Sequence, residues 1–404
     1  MALRALSLFI ALLSSIHIVS AIVLHAQDRW IVDSNNKRVK LRCVNWAGHM
    51  EVGIPEGLQH QPVATIAAWV ANNKFNCVRL TYSIDMALNP NQRVQDAFNN
   101  AASTSGASLS ALQGLYNSAL GKNSWLSSST TQGAFGRVIQ ELGNRGVMVI
   151  MDNHVSKASW CCGTGDGNGW WAQAAGYNAA NSRYFDTNNW LNGLKNIANF
   201  AKGYSNVVGM GLRNEVRAVS GQDGNNHADW YNYMGQGARA VSDANRDLLI
   251  IFGGVGYATD LGYLYSKPFD RSALNNKVVY EYHNYQWTYG DRSCADHKTL
   301  MGNAAGYLIA SGKSYTGPLW VSEFGWNQNG ASSVEVNYYR CLVEYLESND
   351  ADWAYWALQG SYYVRNGQVN YDESFGVLKA DWSGWRNTGF TAALGKIWDQ
   401  TQGP

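Results

Sequence analysis

The stretch VVGMGLRN at residues 207–214 shows no alternation of polar and apolar side chains and runs directly into Glu215. A strand with one wet face alternates; one covered on both faces does not, so this run reads as an interior strand of a parallel sheet. Outward from it the same kind of run recurs. LRCVNW (41–46), FNCVRLT (75–81) and GVMVIMDN (146–153) precede it, and DLLIIFG (247–253), KVVYEYH (277–283), PLWVSE (318–323) and WAYWAL (353–358) follow. Longer stretches with apolar residues at helical spacing lie between them, at 63–73, 133–146, 188–204, 227–245 and 332–348. In the third of these, Trp190, Leu194, Ile197, Ala201 and Tyr204 form one stripe.

Strands alternating with helices give either a closed (β/α)8 TIM barrel or an open doubly wound sheet. No glycine-rich phosphate turn follows the first strand, and eight repeats fit closure, so the α/β barrel is the expected fold. Trp30 to Arg42, alternating about Asp33-Ser34-Asn35-Asn36, reads as an N-terminal β-hairpin. Long βα loops are expected at Ser83–Thr131 and Val155–Asn189, on the rim where such barrels carry their sites. With only 6 prolines and no linker-like stretch, residues 28–400 read as a single domain.

Composition narrows the function. Charged residues are 15% of the 404-residue chain, against about 25% in a typical soluble domain, and the formal net charge is +1. No basic patch favours nucleic acid. The 17 Trp and 23 Tyr suit a cleft in which rings pack on the C–H faces of sugars, although a large barrel also buries aromatics. Arg4, the apolar run Ala5–Val23 and the small-residue site Val19-Ser20-Ala21 read as a signal peptide over 1–21. A secreted protein, extracellular or in the cell wall, monomeric and free of the membrane after cleavage, is the expectation. Of six cysteines, Cys43 and Cys77 sit in strand-like runs and read as free core thiols, and one bridge is expected from Cys161 or Cys162 to Cys294. No Cys/His spacing suggests zinc, and neither a metal nor a cofactor is expected. Asp166-Gly167-Asn168-Gly169 lacks the ligand series of a calcium loop and reads as a turn. Trp160, Trp170 and Trp171 in the same loop read either as a sugar platform or as rim packing.

Hydrolysis of a glycosidic bond needs two carboxyl groups beside the anomeric carbon. A glutamate ending an apolar strand is costly to bury without a partner or a function. Glu215 ends the fourth run and Glu323 the seventh. Asn214 is placed to hydrogen-bond a sugar 2-hydroxyl. Arg79, inside the second run, needs an anionic partner that a nucleophilic carboxylate would supply. His154, His283, Tyr285 and Trp356 add polar or aromatic groups at further strand ends.

In this ordered set the chain resembles glycoside hydrolase family 5, the cellulase-type clan of retaining (β/α)8 enzymes, and within it a plant branch. The matching positions are Asn214-Glu215, Glu323-Phe324-Gly325, His283-x-Tyr285, Arg79, His154 and Trp356. The resemblance implies Glu215 as acid/base and Glu323 as nucleophile, with Arg79 and Tyr285 holding Glu323 and His283 close to Glu215. It also implies that His154 and Asn214 bind the sugar at the cleavage position over a floor of Trp356. One departure stands out: where family members commonly have proline after Asn-Glu, this chain has Val216 and Arg217. The expected substrate is a β-1,4-glucan, with β-mannan hydrolysis, transglycosylation, or sugar binding without catalysis as the alternatives.

Overall fold

The computed structural model describes residues 22–223 and 227–399; the expected signal peptide lies outside the described residues. Eight parallel strands close into a barrel in sequence order. They are β1 (Arg42–Trp46), β2 (Cys77–Ser83), β3 (Met148–Val155), β4 (Val207–Gly211), β5 (Leu249–Gly253), β6 (Val278–Asn284), β7 (Leu319–Phe324) and β8 (Asp352–Tyr355). Closure is made by β8 against β1, with Trp353 opposite Arg42 and Tyr355 opposite Val44. Every strand falls on one of the eight apolar runs. Helices packed around the barrel include α1 (Val63–Asn72), α2 (Thr131–Gly143), α3 (Thr187–Ala201), α4 (Ala228–Ala244), α5 (Cys294–Ala304) and α6 (Ser333–Asn349). Their starts are written locally. The Ser332 hydroxyl accepts from the Glu335 amide while Glu335 reaches back to Ser332, a reciprocal cap on α6. On α3 the predicted stripe is buried from Trp190 to Ala201, and Tyr204 packs partly buried beyond the helix end.

The barrel interior changes character along its axis. At the N-terminal end Cys43, Cys77, Ile150, Leu249, Val279 and Trp320 form an apolar plug, which Leu24 and Ile31 join from below. Ile31 belongs to the N-terminal hairpin, His25–Gln27 paired with Trp30–Val32, and Leu24 directly precedes it. The expected Asp33–Asn36 turn follows the hairpin and closes only a single bridge, Val32 to Arg38. Arg38 is instead drawn to Asp352 at 3.0 Å. Two residues further up each strand the inward positions become charged: Cys77 gives way to Arg79, Ile150 to Asp152 and Val279 to Glu281, all buried. The period-2 geometry of a strand thus stacks an ionic layer directly on the apolar plug.

Three expectations are corrected. Cys43 and Cys77 are not free thiols: they sit opposite each other in the β1/β2 register, 4.5 Å apart at Cα, and are bridged. Cys161 pairs with its neighbour Cys162, and Cys294 with Cys341, so no bridge joins the β3 loop to Cys294. The pairing follows from register and from α5 packing on α6, neither of which is written in cysteine spacing. Finally, 83–131 is no open rim loop. It folds into helices Ile84–Leu88, Val94–Ala101 and Leu109–Lys122 and contributes nothing to the cleft lining. Leu112, Leu115, Tyr116 and Ala119 form its buried stripe.

Candidate active site

A cleft of 760 Å³ opens at the C-terminal mouth of the barrel, within the range of small-ligand sites. His154, Asn214, Glu215, His283, Tyr285, Glu323 and Trp356 all line it. Arg79 lies directly beneath, fully buried. The structure therefore brings every candidate residue to one place.

Two strand irregularities fall at this mouth. Tyr282 pairs with Val321 but His283 with Glu323, so Ser322 is an extra residue on β7. On β3, Tyr82 pairs with Asn153 but Ser83 with Val155, which makes His154 the extra residue. Bulges of this kind re-aim side chains at barrel rims. Glu215 itself sits beyond the end of β4 at φ +44°, in the left-handed region that a glutamate rarely adopts. Gly325 is required by close approach, since a Cβ there would meet the Trp356 carbonyl oxygen at 2.5 Å.

Arg79 is the hub of the ionic layer. Its Nη1 donates to Glu323 Oε1 at 2.6 Å and to Asn45 Oδ1 at 3.0 Å, and its Nη2 donates to Asn214 Oδ1 at 2.8 Å. Asp152 lies 3.0 Å from Nη2 and Glu281 3.3 Å from Nε. Burial works against the guanidinium charge, but Asp152, Glu281 and Glu323 outweigh it and hold the proton more firmly than usual. Asn214, with its oxygen on Arg79, turns its Nδ2 toward His154 Nε2 at 3.3 Å. His154 Nδ1 meets Asp152 Oδ2 at 2.7 Å. Burial and the Arg79 charge hold His154 neutral, so its Nδ1–H donates to Asp152 and its Nε2 accepts from Asn214. Arg79, Asn214, His154 and Asp152 thus close an orienting ring under the cleft.

The two glutamates differ in their contacts. Glu323 Oε2 accepts from the Tyr285 hydroxyl at 3.1 Å, in addition to Arg79. Glu215 Oε1 lies 2.9 Å from His283 Nδ1, which is also 3.6 Å from Glu323 Oε2. One oxygen of each carboxylate and the His283 nitrogen lie within 4.8 Å of one another. Burial pushes both carboxyls up to about 7, so desolvation alone does not tell them apart. The contacts do: Glu323 touches a cation and Glu215 an imidazole that burial keeps neutral. These contacts make Glu323 the more favourable seat for a first negative charge.

A model of the cellulase family, glycosyl hydrolase family 5, matches residues 32–361. The chain belongs to glycosyl hydrolase family 5. It is similar to a glycosyl hydrolase 5 family protein of Chamaecyparis obtusa, 37% identical over 391 residues that cover 94% of this chain and 66% of the relative. This family 5 chain thus spans just under two thirds of the length of that relative. Among solved structures it resembles the catalytic domain of the major endoglucanase of Xanthomonas campestris pv. campestris, with TM-score 0.71 and 21% identity over 93% of this chain and 100% of that one. It also resembles an endocellulase of Pyrococcus horikoshii in complex with cellotetraose, with TM-score 0.70 and 17% identity over 94% and 100% of the two chains.

Several residues in and beneath this family 5 cleft were not singled out from sequence. Asp152 and Glu281 are charged positions inside apolar runs, the same signal that Arg79 gave. The hairpin Ser361–Arg365 with Gln368–Asp372 forms a wall, where Arg365 lies 3.3 Å above the Trp160 ring. Trp287, 64% exposed, stacks on Tyr285 at 4.4 Å beside the glutamates. Of the tryptophans in the loop after β3, only Trp160 lines the cleft; Trp170 and Trp171 are buried in the core. The departure at Val216-Arg217 has a structural use. Val216 is buried, and Arg217 holds the loop after β3 through Asp166 at 2.5 Å and the Gly163 carbonyl at 3.0 Å. Asp166 is thereby engaged by an arginine.

Removing the hub has a calculable cost. Arg79→Met leaves three buried carboxylates without their cation, and a loss of about 3–5 kcal/mol is expected at neutral pH. Chemical denaturation checks this. The deficit should shrink at pH 5, because carboxyls with raised pKa regain stability as they protonate.

Proposed function

We propose that the protein is a secreted retaining β-glycosidase that cleaves within β-1,4-glucan chains, with Glu323 as nucleophile and Glu215 as acid/base. The observation that carries this reading is the approach of the two carboxylates, with oxygens within 4.8 Å across an open cleft. Carboxyl groups about 5–5.5 Å apart suit direct attack, whereas about 6.5–9.5 Å leaves room for an intervening water.

In the first step Glu323, ionised against Arg79 and Tyr285, attacks the anomeric carbon from below. Glu215 passes its proton to the departing glycosidic oxygen, and a glycosyl ester forms on Glu323. Glu215, now ionised and within reach of His283, takes a proton from water. That water attacks the same carbon from the opposite face, so the ester breaks and the sugar leaves with its β configuration. Asn214 and His154, both held in the orienting ring, lie at the cleavage position, where Asn214 Nδ2 can donate to a sugar hydroxyl and Trp356 forms the floor. Trp160 and Trp287 add further aromatic rings to the cleft lining, which suits a substrate of several sugar units. The structural likeness to an endocellulase in complex with cellotetraose supports the choice of glucan.

A reducing-sugar assay across cellulose derivatives, mixed-linkage glucan, xyloglucan and mannan tests the substrate. Proton NMR of the first product tests the stereochemistry: initial α-anomer would exclude the double displacement. The pH dependence follows from the shared proton. Below the two pKa values Glu323 is protonated and cannot attack; above them Glu215 is ionised and cannot donate. With both groups pushed up to about 7, kcat/KM is expected to rise and then fall with pH about neutrality, in two steps that belong to the pair. A profile flat from pH 5 to 9 would contradict it.

A further inference from the structure

The Cys161–Cys162 bridge is the one disulfide among the described residues whose two cysteines both line the cleft. Cys43 and Cys77 are fully buried in the barrel plug, and the Cys294–Cys341 bridge joins α5 to α6. The two cleft sulfurs and a Glu215 carboxylate oxygen lie within 4.8 Å of one another. Asn214 Nδ2 points at both, 3.6 Å from Cys161 Sγ and 3.5 Å from Cys162 Sγ. A sulfur pair is apolar and polarizable, able to contact C–H groups much as a thioether does. It offers no strong hydrogen-bond acceptor to compete with the hydroxyls around it.

The pair is also held in place by the segment that carries the catalytic glutamate. Arg217 donates to the Glu215 carbonyl at 2.8 Å and, from the same guanidinium, to the Gly163 carbonyl and the Asp166 carboxylate. Arg213 donates to the Asn168 carbonyl at 2.7 Å further along the loop. The loop after β3 and the end of β4 therefore behave as one unit, with the sulfurs fixed relative to Glu215. Tyr257, 37% exposed beside Arg217, stands in the cleft lining near the same glutamate.

From this placement we infer that the Cys161–Cys162 disulfide is a substrate-binding surface for the first sugar on the leaving-group side of the cleaved bond. The inference rests on the assignment of Glu215 as the proton donor. Its carboxyl must reach the departing oxygen, so the next sugar passes beside it, against the sulfurs. The substrate class is a β-linked pyranose chain presenting a C–H face to the disulfide.

The test compares cellotetraose with β-cellobiosyl fluoride, whose leaving group is a single atom and leaves that position empty. In Cys161→Ser/Cys162→Ser and Cys161→Ala/Cys162→Ala proteins, kcat/KM on cellotetraose is expected to fall about tenfold more than on the fluoride. Reduction of the native protein with a phosphine should reproduce the difference, and reoxidation should restore it. Equal losses on both substrates, or no loss on cellotetraose, would overturn the inference. Calorimetric titration of cellotetraose into Glu323→Gln protein, with and without the disulfide, reads the same contact without turnover, and equal affinities would also overturn it. A native protein that neither binds nor cleaves cellotetraose or mannotetraose would instead remove the underlying functional reading, and the inference with it.

Discussion

Glu323→Gln is expected to lower kcat by about ten-thousand-fold while leaving oligosaccharide binding intact. The amide keeps the volume of the side chain but cannot form the ester on which double displacement depends. Its surroundings tolerate the change. Arg79 retains Asp152 at 3.0 Å and Glu281 at 3.3 Å, and the amide oxygen can accept the Nη1 hydrogen bond. The Tyr285 hydroxyl, which burial keeps protonated, can accept from the new amide nitrogen. The variant should even be more stable than the parent at alkaline pH. A carboxyl raised above its unfolded value of about 4.5 contributes stability that is complete below that value and lost as pH rises through about 7. Glutamine does not carry that loss, so thermal unfolding should favour the variant more at pH 8 than at pH 5. Stopped assays and calorimetric titration with cello-oligosaccharides check both halves. Undiminished turnover would remove Glu323 from the chemistry, and loss of binding together with turnover would mean that its charge serves the ground state instead.

Much of this molecule was legible in its sequence for a single reason: barrel strands buried on both faces cannot hide. All eight apolar runs became strands, and Glu215 and Glu323 stood out because charge at the end of such a run is expensive. Asp152 and Glu281 carried the same signal inside their runs as Arg79 did in its own, so the whole ionic layer is written as charge within apolar strands. Other features depend on register. The Ser322 bulge that places Glu323 opposite His283 is invisible without the pairing of β6 and β7. The bridge between Cys43 and Cys77 follows from the alignment of β1 with β2, and no cysteine spacing encodes that alignment. Arg217 shows the limit of motif comparison. As a departure from the commonest family residue it signalled doubt about the following loop, yet its guanidinium is what fastens that loop, through Gly163 and Asp166, to the Glu215 backbone.

Glu215→Ala should give a different pattern, because the two glutamates fail in different steps. Without the acid, departure of a sugar alcohol loses its proton source, and kcat/KM on cellotetraose should fall about a thousandfold, within the usual range for general acid catalysis of about 10²–10⁴. A dinitrophenyl cellobioside needs no protonation to leave, so its first step should be nearly spared and the glycosyl ester on Glu323 should accumulate as an initial burst. Added azide then replaces the water that Glu215 no longer activates. It attacks the ester from the face opposite Glu323 and releases β-cellobiosyl azide. In Glu323→Gly protein, azide enters from the nucleophile's own side and displaces the leaving group directly, giving the α-azide. The two products differ in configuration at one carbon, and NMR distinguishes them. Because the carboxylate oxygens lie within 4.8 Å of each other, with His283 Nδ1 reaching both, simple proximity cannot say which glutamate plays which part. The assignment rests on Arg79 and Tyr285 contacting Glu323. If the Glu215 variant gave the α-azide and the Glu323 variant the β-azide, the roles would have to be exchanged, and the guanidinium under the cleft would be holding the acid in place of the nucleophile.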